Sequence, residues 1–135
     1  LSKDEKGWFK HIVWSNLYKL SPTGGGNPSY KLREVQFETC LEILKVELEV
    51  FKPKFVVLLN GPDWYADFVC KLAGSDEFGT INLDIVDSKF WNDSNYMVYV
   101  YKIGETYFIG SVHPQGKPEK EHIGVILEMI KKFSM

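Results

Sequence analysis

Three polar side chains in this 135-residue sequence stand where an α/β chain would place chemistry. Asn16 follows the run His11-Ile12-Val13-Trp14, Asn60 follows Phe55-Val56-Val57-Leu58-Leu59, and His113 follows Thr106–Val112. Each run is rich in β-branched, aromatic or aliphatic residues and predicts a strand. In open α/β sheets ligands bind beyond the carboxyl ends of the strands. The three polar residues are therefore predicted along one rim. A side-chain amide at such a rim offers one acceptor and two donors. Plainer uses compete: His113, before Pro114, would cap its strand, and an asparagine turns a chain by bonding its own backbone, the reading favoured for Asn60. His11 and His122 are expected on a strand and on a helix surface, without chemistry.

The cysteines add no nucleophile. Cys40 and Cys70 fall in helical segments, away from any strand end near a histidine, and are too few for a disulfide framework or a metal-ligand cluster. Buried free thiols are expected. No metal and no cofactor is predicted.

The elements that must position these residues follow from periodicity. Ser21 to Ser29, with three glycines and two prolines, excludes regular structure. Ser29 is a natural N-cap for a helix over 30–52, in which Leu41, Leu44, Leu48 and Phe51 recur at helical spacing. Pro53 ends it. The continuous apolar run 55–59 predicts a strand buried on both faces. Asn60-Gly61-Pro62 then turns the chain into a helix over 63–72, Pro62 suiting its first turn. Strands are expected over Thr80–Val86, Tyr96–Ile103 and Thr106–Val112, the last two joined at Gly104-Glu105 as a hairpin. A closing helix over Lys117–Phe133 would present Ile123, Ile126, Leu127 and Ile130 on one face. The predicted fold is α/β: a single three-layer α/β/α domain over 1–135, with a central, mostly parallel mixed sheet.

Composition bounds the function. Hydrophobic residues make up 44% of the chain and charged residues 25%, which suits one globular domain. No apolar run approaches the ~20 residues of a membrane span and no signal-peptide pattern opens the chain. A soluble, cytoplasmic protein without a membrane partner is expected. A net charge of −2 argues against broad non-specific coating of nucleic acid, although local lysines and backbone N–H groups suffice to grip a few phosphates.

Specific motifs narrow this further. Val13-Trp14-Ser15-Asn16-Leu17-Tyr18-Lys19-Leu20-Ser21-Pro22 followed by Gly26-Asn27-Pro28 resembles the asparagine-bearing block of the uracil-DNA glycosylase superfamily, in its bacterial and thermophilic form. Lys52-Pro53-Lys54-Phe55-Val56-Val57-Leu58-Leu59-Asn60-Gly61 is similar to a later strand block, and Ser111-Val112-His113-Pro114-Gln115 to the late His-Pro-Ser block. The three occur in the family's order over most of the chain. The resemblance implies base flipping, in which a nucleotide leaves the stack and its Watson–Crick edge is read in a pocket. It implies that Asn16 reads a uracil-type base and that His113, kept neutral, donates a hydrogen bond to the departing base. Tyr18 or Trp14 would stack on that base, with Pro114 and Gln115 beside it. Gly25 and Gly26, with Gly24 and Gly116, would let the backbone approach phosphates, and Lys117 and Lys120 would meet them. DNA, single- or double-stranded, is the implied partner.

The family's first block, whose loop positions the attacking water, has no counterpart before Asn16. Asp4 and Glu5 are acidic but sit in a lysine-rich stretch and are not expected to act. The resemblance thus implies a domain lacking its N-terminal strand and catalytic loop, or remodelled there. Leu20 replaces one ligand of the iron–sulfur members, Cys40 matches another and the N-terminal pair is absent, which excludes a cluster in this chain. Gln115 stands in place of the serine of His-Pro-Ser. Three functional classes remain: a glycosylase hydrolysing the N-glycosidic bond, a non-catalytic relative that holds a base, nucleotide or strand, and an unrelated α/β protein binding a small ligand or partner at the same rim.

Overall fold

The computed structural model describes residues 8–74 and 85–134. Asp4, Glu5 and the start of the strand expected from Thr80 lie outside the described residues. The chain divides into two compact units, Leu1–Leu44 and Lys45–Met135.

In the first unit, Trp8–His11 form a short 3-10 turn and the chain then runs without regular structure to Ser29. The strand expected over His11–Trp14 does not form. Ile12, Val13 and Trp14 are exposed, Trp14 by 82%. β-branched and aromatic residues favour strands because they pack on a half-buried pleated surface; left exposed, these three have no such surface to stabilise them. Helix α1 (Tyr30–Phe51) begins as expected, with Ser29 Oγ accepting the Leu32 N–H at 3.2 Å. Gln36, Phe37, Cys40 and Leu41 form its buried face. Of the expected apolar row only Leu41 is fully buried, and Phe51 is exposed. Lys52, in the left-handed region at φ 45°, and Pro53 end the helix.

In the second unit, β1 (Phe55–Leu58), α2 (Pro62–Leu72), β2 (Ile85–Trp91), β3 (Tyr96–Ile103), β4 (Thr106–Gly110) and α3 (Glu119–Phe133) follow in order. The four strands form one mixed sheet in the order β1-β4-β3-β2. β1 is parallel to β4, whereas β3 is antiparallel to both β4 and β2. The sheet is therefore mixed, as expected, but mostly antiparallel. Short turns force this, because adjacent strands joined by a few residues must reverse direction. Gly104, at φ 60°, supplies the left-handed turn position between β3 and β4. Asn92, Asp93 and Ser94 supply positive φ between β2 and β3. β2 continues to Trp91, past the end expected at Val86, and is paired by the register Trp91↔Tyr96 across this turn.

Alternation assigns the two faces of the sheet. Trp91, Val98, Val100 and Ile109 pack with Val125 and Met129 of α3. On the opposite face Tyr65 of α2 meets Gly110, and its ring lies edge-on to Tyr101 at 6.4 Å. The expected face of α3 holds in part: Ile126 and Ile130 pack against the core, but Ile123 and Leu127 are exposed, and His122, Val125 and Met129 are the buried row. The helix is turned by about one residue from the row its isoleucines suggest. This brings Glu128 and Lys132 to Lys89 and Asp87 on β2, each pair at 2.6 Å. Both pairs are largely exposed and add little stability.

Candidate functional site

β1 and β4 are parallel neighbours, so their carboxyl ends open on the same side. Asn60 follows the end of β1 and His113 follows the end of β4. Backbone bonds stitch the two exits together: Ser111 N donates to Leu58 O at 2.9 Å, and Gly61 N donates to Ser111 O at 3.0 Å. Gly61 adopts φ 85°, which a side chain would oppose, and this turn leads directly into α2 at Pro62. Asn60 Oδ1 is buried and has no hydrogen-bond partner among the described residues. It is an acceptor held at the rim without a donor.

His113, Pro114, Gln115 and Gly116 form an exposed loop between β4 and α3. The Gln115 N–H donates to His113 Nδ1 at 3.1 Å. A backbone N–H can only donate, so Nδ1 accepts and the neutral ring carries its proton on Nε2. The exposed His113 thereby keeps an N–H donor on Nε2. Lys117 N closes the loop on Pro114 O at 3.1 Å. Its ammonium lies 5.6 Å from the centre of the Tyr96 ring and bonds Gln115 O at 3.2 Å. Lys117 is thus placed beside the loop, half-buried, with Gly116 in the left-handed region at φ 73°.

Asn16, Tyr18, Gly25 and Gly26 belong to the first unit. Asn16 is exposed and does not follow a strand, contrary to expectation. Its backbone carbonyl accepts a bond from Lys19 Nζ, which also bonds Ser15 Oγ at 2.7 Å. Tyr18 is half-buried. Gly25 and Gly26 have φ 88° and 84°, a turn closed by Gly25 N on Pro22 O at 3.0 Å. A Cβ at either would meet no atom within 4 Å, so what glycine provides there is conformation, not a close approach. The adjoining segment is held by a buried side chain. Gln36 Oε1 accepts from Lys19 N and Leu20 N at 3.1 and 2.9 Å, and its Nε2 donates to Leu20 O at 2.9 Å. Gln36→Leu removes all three bonds and strands polar backbone groups. Loss of about 1–3 kcal/mol is expected, seen as faster amide exchange at Lys19 and Leu20 while α2 and β3 keep theirs.

The histidine expected on a helix surface is the buried one. His122 is 3% exposed, Ser111 is 1% exposed, and Ser111 Oγ lies 2.8 Å from His122 Nε2. The imidazole also stacks on Trp91, ring centres 4.5 Å apart and planes 15° from parallel. The sequence does carry a signal for this. His122, Val125 and Met129 are spaced three and four apart, which is the buried row of α3. Burial, with the Lys117 charge as a lesser cause, holds His122 below its ordinary value near 6.5. Its neutral form is favoured by folding, so its contribution is complete above about pH 6.5. As the pH falls below that value, the unfolded chain binds the proton first and stability declines. Urea unfolding at steps from pH 7.5 to 5 is expected to show this decline, and His122→Gln to lack it. Asp87 does not contribute in this window: the hydrogen bond from Lys132 lowers its carboxyl below the ordinary 3.8.

No cluster of three or more His, Cys, Asp or Glu side chains among the described residues is arranged to hold a metal. Cys40 and Cys70 are buried and form no disulfide. No helix among the described residues is long and apolar enough to cross a membrane. No known protein family, curated protein or solved structure matches the chain.

Proposed function

We propose that this chain is a glycosylase-like protein that binds an extruded, uracil-type base of DNA and hydrolyses its N-glycosidic bond. The observation that carries the reading is the exposed His113 loop at the carboxyl end of β4, where Gln115 N–H on Nδ1 leaves Nε2–H as the ring's donor. When the bond from the sugar to the base breaks, the electron pair leaves on the base and water adds to the sugar carbon. A fixed N–H donor aimed at the base carbonyl stabilises that charge as it forms. Pro114 and Gln115 shape the same loop, and Lys117 and the Gly116 backbone would meet DNA phosphates there; the motif resemblance gives the Gly25 and Gly26 backbone a phosphate-contacting role of its own.

Two asparagines compete to read the base. The motif resemblance assigns that role to Asn16. Asn60 is favoured by its place on the rim that carries His113 and by its unpartnered Oδ1. An amide carbonyl accepts the N3–H of uracil while its NH₂ donates to O4. Asn16→Asp and Asn60→Asp each lose that donor, so the variant that stops release identifies the reader.

The test is release of free base from uracil-containing single- and double-stranded DNA, measured with abasic-site formation. Release at substrate-dependent rates supports the proposal. Salt-dependent DNA binding without release points instead to a non-catalytic relative. Neither binding nor release moves the reading to a small ligand or another partner at the rim.

A further inference from the structure

We propose that Ser111 and His122 form a clasp across the two stems of the 112–118 loop and that both are positioning residues for His113. The inference rests on the functional reading of His113 given above. Ser111 is the last buried residue before the loop, and His122 lies in the first turns of α3 immediately after it. Their 2.8 Å side-chain hydrogen bond therefore closes the loop at its base.

Each half of the clasp is itself immobilised. Ser111 is pinned through its backbone by Leu58 O and by Gly61 N, so its position follows the exits of β1 and α2. His122 is pinned by stacking on Trp91, the last residue of β2, which in turn packs on Tyr96 with ring centres 4.9 Å apart. Lys117, whose charge bears on His122, reaches back to Gln115 O and so belongs to the same loop. Between the stems, His113, Pro114 and Gln115 are exposed. Their internal order depends on two short-range bonds, Gln115 N to His113 Nδ1 and Lys117 N to Pro114 O. Both bonds are local to the loop, and the Ser111–His122 tie holds the stems from which that loop departs and to which it returns. Ser111 is too buried to serve as a nucleophile, whereas a serine hydroxyl and an imidazole paired away from water make a directional tie.

The test is made on the ring of His113, so that it does not depend on catalysis. Amide exchange at Gln115 and nitrogen-15 spectra of the His113 imidazole are recorded for the protein, Ser111→Ala, His122→Leu and His122→Gln. The first two variants are expected to exchange the Gln115 amide at least about tenfold faster and to lose the single Nε2–H tautomer of His113. The β3 amides should keep their protection. His122→Gln, which still offers a polar group to Ser111, should restore both signals. If the protein releases uracil, kcat should fall in Ser111→Ala while affinity for abasic DNA is retained. Unchanged exchange and tautomer in Ser111→Ala would overturn the clasp. A parallel loss of protection throughout β3 and β4 would also overturn it, because the pair would then support the sheet as a whole. A loosened loop in a protein that never releases base would uphold the clasp and reject the functional reading.

Discussion

Alanine in place of His113 is expected to slow uracil release by about 10²- to 10³-fold, the loss seen when one preorganised donor to a developing negative charge is removed. The effect belongs in kcat. A donor that meets the base most strongly as the electron pair arrives contributes little to ground-state binding, so affinity for uracil-containing DNA should change far less. His113 is exposed and its only side-chain bond described is the one from Gln115 N–H. The melting temperature should therefore stay close to that of the parent, which separates a chemical loss from a folding loss. Glutamine at this position keeps an N–H donor on a flexible stem, without the Gln115 bond that orients the ring. It should recover part of the rate. Equal rates in His113→Ala and the parent would remove His113 from the chemistry.

What could be foreseen from the residues divides by how local the deciding interaction is. β3 and the Gly104-Glu105 turn were legible because alternation and turn chemistry act within a few residues. The start of α1 at Ser29 and the strand-turn-helix unit through Gly61 and Pro62 were legible for the same reason, although β1 lies at the sheet edge with Val57 exposed and is not buried on both faces. His11–Trp14 was not, since a strand also needs a surface to pack on and the sequence does not reveal whether one is there. The face of α3 was ambiguous. Two apolar rows overlap on it, and only packing against Trp91, Val98 and Val100 selects the row that buries His122. At the site, the exposed loop of His113 could be located from the strand and proline around it. The Ser111–His122 bond could not, because it joins positions 11 apart whose helix face was itself in question. Asn16 shows the converse: a motif located it, but the strand expected to present it is absent.

Gly110 decides whether the two sides of the second unit can close, and Gly110→Ala is expected to be among the most destabilising single changes in the chain. A Cβ there would stand 2.4 Å from both Cζ and the hydroxyl oxygen of Tyr65. Neither partner can step aside easily. Gly110 is fixed in the ladder opposite Tyr99 on β3 and Leu58 on β1. Tyr65 is 1% exposed, and its ring abuts Tyr101. Burial also raises the Tyr65 hydroxyl well above its ordinary value, with the Tyr101 neighbour adding to the effect. The clash must be relieved by moving α2 or by an off-rotamer ring, at about 1–3 kcal/mol or more for overpacking of this kind. Urea unfolding followed by tryptophan fluorescence should register that loss. The second half of the argument is a double variant. In a Tyr65→Leu background the atoms that Cβ would strike are gone, so Gly110→Ala should cost much less than it does alone, although Tyr65→Leu is itself costly. Strict additivity of the two changes would mean that the contact between α2 and β4 is not what requires glycine. Because Gly110 immediately precedes Ser111, the double variant should also restore protection of the Gln115 amide, since the same close approach sets where the His113 loop begins.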